Sequence, residues 1–174
     1  VLTSSSFLVV AAVGEGFVVQ VGMIDLGVES MIAASGMFIA WMTVFQGVST
    51  PFALFATLGA GAGIGAIVGL LVARGGIPSF IVTLATYWGI RGVALLFTPG
   101  PYLRPDAVDP PRPFGFAGIA DSIGGVPVLI VIALAAVIAG QLLMSMTPLG
   151  NWIKASGSNE NAARSVGIRT DLIT

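Results

Sequence analysis

Residues Phe52 to Ala73 read FALFATLGAGAGIGAIVGLLVA, an apolar run without one charged side chain. A helix that crosses a bilayer needs roughly 20 predominantly apolar residues, and this run supplies them. Both ends are punctuated. Gly47-Val48-Ser49-Thr50-Pro51 precedes the run as a tight loop, with Pro51 near the first turn of the helix. Arg74-Gly75-Gly76-Ile77-Pro78 follows as a second short turn, so the next apolar run is an antiparallel neighbour.

Four more apolar stretches lie outward from this one. The first runs from Phe7 to Val21, interrupted by Glu15 and Gln20, and the second from Val28 to Phe45. Ile77 to Phe97 holds a single charge, Arg91, and Val126 to Met146 holds none. The whole chain agrees: 174 residues, 56% hydrophobic and 9% charged, with a mean hydropathy of +1.00. An average soluble domain carries about 25% charged residues. The expected fold is all-α, a polytopic membrane helical bundle of about five spans in one transmembrane domain over residues 1–174. A short cytoplasmic helix is expected after the last span.

Residues 98–125 form the one long polar connection, and Pro99, Pro101, Pro105, Pro110, Pro111 and Pro113 forbid a regular helix there. The tail carries Lys154, Arg164 and Arg169, and short cytoplasmic segments are enriched in Lys and Arg. The tail is therefore placed inside and the Pro-rich loop outside. Counting back, the Arg74 turn is inside, the 47–51 loop outside and the 22–27 junction inside. That parity leaves residue 1 outside. The chain starts with Val1, and no Lys or Arg precedes Arg74 to make a signal-peptide n-region. A further span upstream is the expectation.

Composition also removes chemistries. There is no His and no Cys, which excludes thiolate zinc sites, Cys nucleophiles, disulfides and His-based triads. Neither a metal nor a cofactor is expected. With seven basic and eight acidic residues, no basic patch is available for a nucleic-acid backbone. The run Gly59-Ala60-Gly61-Ala62-Gly63-Ile64-Gly65-Ala66 matches G-x-G-x-x-A, but it lies inside an apolar helix with no acidic residue until Asp106. Gly61, Gly65 and Gly69 recur every fourth residue and form the small-residue stripe that lets membrane helices approach closely. No P-loop motif is present.

Ionisable residues within spans are costly, at about 2.5–3.5 kcal/mol each at a helix centre. Glu15 lies midway along the first stretch, and Asp25 and Glu29 lie in Gly22–Ser30. Asp25 is placed to cap the second helix by accepting backbone N–H groups. A broken helix aimed at a pathway is the alternative for this segment. Glu29 falls one turn further on the same face, where like charges repel unless offset. Arg91 lies roughly 21 Å into its span. There it can snorkel outward, pair with Glu15 or Glu29, or meet substrate.

In the tail, Ser158 or Asn159 can start a helix with Glu160 in its first turn, Arg164 in its last and Gly167 as its stop. Two turns are too short to be stable alone in water. Such a helix either docks on a partner surface or is an ordinary amphipathic linker.

Three ordered blocks carry a resemblance. The tail reads T-x-x-G-x-x-x-x-A-x-G-x-N-x-x-A-A-R-x-x-G-I through Thr147, Gly150, Ala155, Gly157, Asn159, Ala162, Ala163, Arg164, Gly167 and Ile168. The middle block is Pro78 to Thr86, then Arg91-Gly92 and Ala94 to Phe97. The third, Gly22 to Ser30, is similar to G-x-I-D-L-S-V-G-S. Over nearly its whole length the chain resembles the permease subunits of bacterial ATP-binding-cassette importers, specifically the ribose/xylose-type sugar permeases. Gly27 stands where that pattern has Ser, and Glu29 where it has Gly. L-G-V-E, with Gly14-Glu15 upstream, is closer to the related nucleoside permeases.

The resemblance implies a multi-pass protein of the bacterial inner membrane that is not itself an enzyme. It implies one span before residue 1 and several after Thr174. Two permease subunits, alike or different, would form the path. An extracytoplasmic binding protein would deliver a monosaccharide, or a nucleoside. ATPase subunits would dock on the 147–169 segment through Gly157, Asn159, Glu160, Ala162, Ala163, Arg164 and Gly167, with Asp25, Glu29, Glu15 and Arg91 as pathway or gating candidates. Two other classes compete. An ion-driven secondary transporter would use Glu15 and Glu29. A membrane-embedded enzyme finds no base–nucleophile constellation here.

Overall fold

The computed structural model describes residues 2–96, 122, 123, 125–170 and 173. Helix α1 spans Leu2–Gln20, and α2 spans Val28–Ala40 before passing into a π-helical turn, Trp41–Phe45. Helices α3 (Thr50–Ala73) and α4 (Ser79–Leu96) follow, then the two-residue strands β1 (Ser122–Ile123) and β2 (Val126–Pro127). The chain continues through α5 (Val128–Met146), α6 (Pro148–Ser158) and α7 (Glu160–Ser165). The 98–125 loop thus lies almost wholly outside the described residues.

Among the described residues, four segments are long and apolar enough to cross a membrane: Val28–Phe45, Thr50–Ala73, Ser79–Leu96 and Val128–Met146. The fifth expected span is α1, whose apolar portion Ser5–Gln20 is shorter. At 1.5 Å per residue its 19 residues reach roughly 28 Å, close to the hydrocarbon thickness of about 30 Å. Pro51 begins α3 and Pro148 begins α6, each at a position where a missing N–H costs nothing.

Packing has a membrane character. The buried apolar residues are mostly small, among them Ala40, Ala53, Ala94 and Ala133. Large side chains face outward instead, with Phe52 63% and Phe55 73% exposed on α3. Small residues between helices and large ones outside suit a lipid solvent, where close backbone approach and not apolar burial drives association. Helix α1 packs on α5, α2 on α4, and α3 against both α2 and α4.

In the π-helical turn, Gln46 N–H donates to Trp41 O at 3.2 Å, and the Thr43 hydroxyl donates back to Ile39 O at 2.9 Å. Such back-bonding by Thr competes with the helical ladder, and Val44 is locked in fully buried beside it.

One end of the bundle gathers the elements that matter below. Ile24 N–H donates to Ser79 Oγ at the start of α4, and Gly157 of α6 touches the backbone of Gln20 at the end of α1. The 21–27 segment, the start of α4 and the tail helices therefore share that end.

Candidate functional site

The 21–27 segment is not helical between α1 and α2. Its first N–H groups bond back to α1 carbonyls, and α4 meets the polar groups of Ile24 and Leu26. Leu26 N–H donates to Thr83 Oγ1 at 3.1 Å, Ile24 N–H to Ser79 Oγ at 3.2 Å, and Thr83 Oγ1 donates to Ile24 O at 3.4 Å. Irregular backbone within a membrane protein persists where neighbouring Ser and Thr side chains meet its polar groups. Ser79 and Thr83 do so one helical turn apart. In the sequence, 78–86 stands out only as part of a block of resemblance, and no local signal marks this role of Ser79 and Thr83.

Asp25 was expected to cap α2. The structure corrects this. The N-cap is Gly27, without a side-chain cap, and Asp25 Oδ1 instead accepts from Gly27 N–H at 2.6 Å. A carboxylate two residues before the cap closes a local turn on its own backbone. Ser30 is fully buried, and its hydroxyl donates to Gly27 O at 2.8 Å. Asp25 lines a cavity of about 300 Å³ bounded by the broken segment, α3 and α4, with Gly65, Gly69, Ser79, Thr83 and Thr86 in its wall. A second, almost wholly apolar cavity of about 440 Å³ adjoins it along α2, α3 and α4, and Met31, Ile64 and Thr86 border both.

The Gly61–Gly65–Gly69 stripe faces this space. A Cβ on Gly61 would stand 3.7 Å from Met31 Cε, whereas one on Gly65 or Gly69 would meet nothing within 4 Å. Within the described residues the upper part of the stripe meets α2, and the rest keeps the cavity open instead of closing a helix contact.

Arg91 reaches toward Glu29. Its Nη1 lies 3.6 Å from Glu29 Oε1 and 3.5 Å from the Tyr87 hydroxyl, with the guanidinium 5.9 Å from the Tyr87 ring centre. The Cα–Cβ bond of a helix leans toward the N-terminus, so a long side chain covers the preceding turn. For Arg91 the preceding turn is Tyr87, on the side of Glu29. The pair joins α2 to α4 and offsets the charge of Glu29. It leaves Glu15 apart. Glu15 sits on α1, and its Oε2 is buried without a hydrogen-bond partner among the described residues.

The tail is more ordered than expected, because residues 148–158 form a full helix. Thr147 caps it, accepting from Gly150 N–H at 3.3 Å. Lys154 Nζ reaches back to Met144 O at 2.8 Å, which fixes α6 to the last turn of α5. The signal was present in Thr147-Pro148, a cap residue followed by a proline at the first helical position.

Helix α7 forms as expected. Asn159 Oδ1 accepts from Ala162 N–H at 3.0 Å. Glu160 and Arg164 pair at 2.7 Å with both side chains exposed, and Thr170, itself buried, donates to Glu160 Oε1 at 3.2 Å. At the far end Gly167 N–H donates to Arg164 O and Ile168 N–H to Ala163 O, each at 3.0 Å. This Schellman closure needs a left-handed residue, and Gly167 supplies it with φ of +85°. Ala163 is buried beneath the helix, while Glu160, Ala162 and Arg164 face out.

Fold and site together define a multi-pass helical membrane protein with a cavity beside the non-helical 21–27 segment and a preorganised exposed helix at the same end. A family model described as "Branched-chain amino acid transport system / permease component" matches residues 1–174. The chain belongs to this family of permease components. It is 34% identical over 173 residues to the ribose import permease protein RbsC of Escherichia coli K12, covering 99% of this chain and 53% of that protein. It is 35% identical over 177 residues to the inner membrane ABC transporter permease protein YjfF of the same organism, covering 100% and 52%. The galactofuranose transporter permease protein YtfT, also from that strain, is 34% identical over 173 residues, with 99% and 49% covered. The chain thus spans about half the length of the curated relatives it matches. No solved structure matches it.

Proposed function

We propose that this chain is part of the transmembrane permease subunit of an ATP-driven importer in the bacterial inner membrane, forming the translocation path for a monosaccharide delivered by an external binding protein. ATP hydrolysis falls to partner ATPase subunits, and a second permease subunit completes the path. The sugar assignment is supported by relatives named for ribose and galactofuranose. The observation that carries the coupling role is the construction of α7. A six-residue helix is too short to persist alone, yet both its ends are closed and its charged face is fixed toward solvent. A docking surface has that build. Asp25, facing the cavity at the same end, is the leading pathway residue in this reading.

The test is Glu160→Arg together with Arg164→Glu in the full-length protein, assembled with its ATPase and binding protein in proteoliposomes. The swap keeps an intrahelical i,i+4 pair but inverts the charges shown to a partner. Loss of substrate-stimulated ATP hydrolysis and of uptake is the expected result. Both surviving unaltered would refute the coupling role.

A further inference from the structure

We propose that Gly157 and the backbone of Gln20–Gly22 form the joint that passes displacement of the tail to the cavity lined by Asp25; the proposal rests on the coupling role assigned above to α7. At Gly157 two backbones touch with no side chain between them. A Cβ there would run into Gln20 O and would stand 2.9 Å from Gln20 C and 3.2 Å from Val21 C. Contacts this close leave no soft side chain to absorb a movement, and packed interiors transmit strain for that reason.

Each side of the joint is tied to one of the two candidate features. On the tail side, Asn159 follows Gly157 by two residues and caps α7 through Ala162 N–H, so the start of α7 and the joint move as one piece. On the bundle side, Gln20 ends α1, and the broken segment begins with Gly22, which lies against Gly157 O. That segment is suspended from α4 by the hydroxyls of Ser79 and Thr83. It carries Asp25, whose carboxylate is bound to Gly27 N–H at the start of α2. A push on α7 therefore reaches the Asp25 turn through backbone, and Ser79 and Thr83 set where that turn rests. Gly157, Ser79 and Thr83 are positioning residues in this scheme, since none is required to touch substrate.

The experiment uses the full-length permease with its ATPase and binding protein in proteoliposomes, and reads sugar taken up per ATP hydrolysed. Gly157→Ala is expected to lower that ratio at least about fivefold, the lower range of site–site coupling. A purely structural defect would lower both activities together. A second readout follows the cavity. Gly69 lines it and has open space for a side chain, so Gly69→Cys in a background free of other cysteines takes a membrane-permeant maleimide. Its labelling rate is expected to change with ATP in the parent and to lose that dependence with Gly157→Ala.

Thr83→Val, which keeps the side-chain shape but removes the hydroxyl's two hydrogen bonds to the 21–27 segment, is expected to act likewise, and Thr83→Ser to restore the parent behaviour. It decides the matter if Gly157→Ala fails to assemble. Parental uptake per ATP in the assembled variants would overturn the proposal, as would ATP-independent labelling in the parent. If the Glu160/Arg164 swap uncouples transport and these variants do not, this inference alone falls. If the swap itself has no effect, the reading beneath it falls.

Discussion

Asn159 and Gly167 close the two ends of α7, one with a side-chain oxygen and the other with a backbone angle. Replacing Asn159 with Ala removes the acceptor for Ala162 N–H and is expected to cost about 1 kcal/mol of local helix stability, whereas Asn159→Asp keeps it. Gly167→Ala forces a Cβ into φ of +85°, at about 1–2 kcal/mol. Amide hydrogen exchange over residues 160–166 checks both, with faster exchange in each Ala variant. Both residues were legible from the chain, because caps and stops act locally and their chemistry sits at fixed offsets. Arg91 was not. Its two possible acidic partners, Glu15 and Glu29, were visible, but choosing Glu29 depended on α2 and α4 lying side by side, which no local pattern states. Arg91→Glu alone sets two carboxylates against each other and is expected to lower the thermal midpoint of the detergent-solubilised protein. The double change Glu29→Arg and Arg91→Glu is expected to recover most of that loss.

The apolar spans declared themselves through length and lack of charge, so α2, α3, α4 and α5 fall close to the expected bounds. Elements defined by hydrogen-bond geometry were harder to see. The π-helical turn at Trp41–Phe45 keeps the apolar composition of the helix it follows, and only the shift of Gln46 N–H to Trp41 O distinguishes it. Helix α6 was hidden for a different reason. Gly150, Ser156 and Gly157 lower its intrinsic helix propensity, and packing on α1 and α5 overrides that weakness. Thr147→Ala should expose this dependence. It is expected to fray the first turn of α6 at a cost of about 1 kcal/mol, read as increased exchange at Gly150 and Asn151. The Asp25 cavity belongs to the same category. The Gly61–Gly65–Gly69 stripe read as a packing surface, and whether it touches a neighbour or borders a space depends on how far α3 stands from α2 and α4.

Across the whole molecule, the broken segment, the cavity it lines and the closed short helix lie at one end of the bundle, linked through backbone at Gly157. That arrangement suits a passive path moved by partners. Among the described residues, Glu29 and Arg91 form an ion pair between spans, Asp25 closes a local turn and Glu160 and Arg164 pair on the surface helix, with Glu15 standing apart. An ion-driven carrier would need no docking helix. The measurement that separates the two most directly is sugar uptake by proteoliposomes holding the full-length permease, its ATPase and its binding protein, with internal ATP and ion gradients varied independently. Uptake that requires ATP and survives complete collapse of the gradients is the expected result. Uptake that continues without ATP and stops when the gradients collapse would contradict the account.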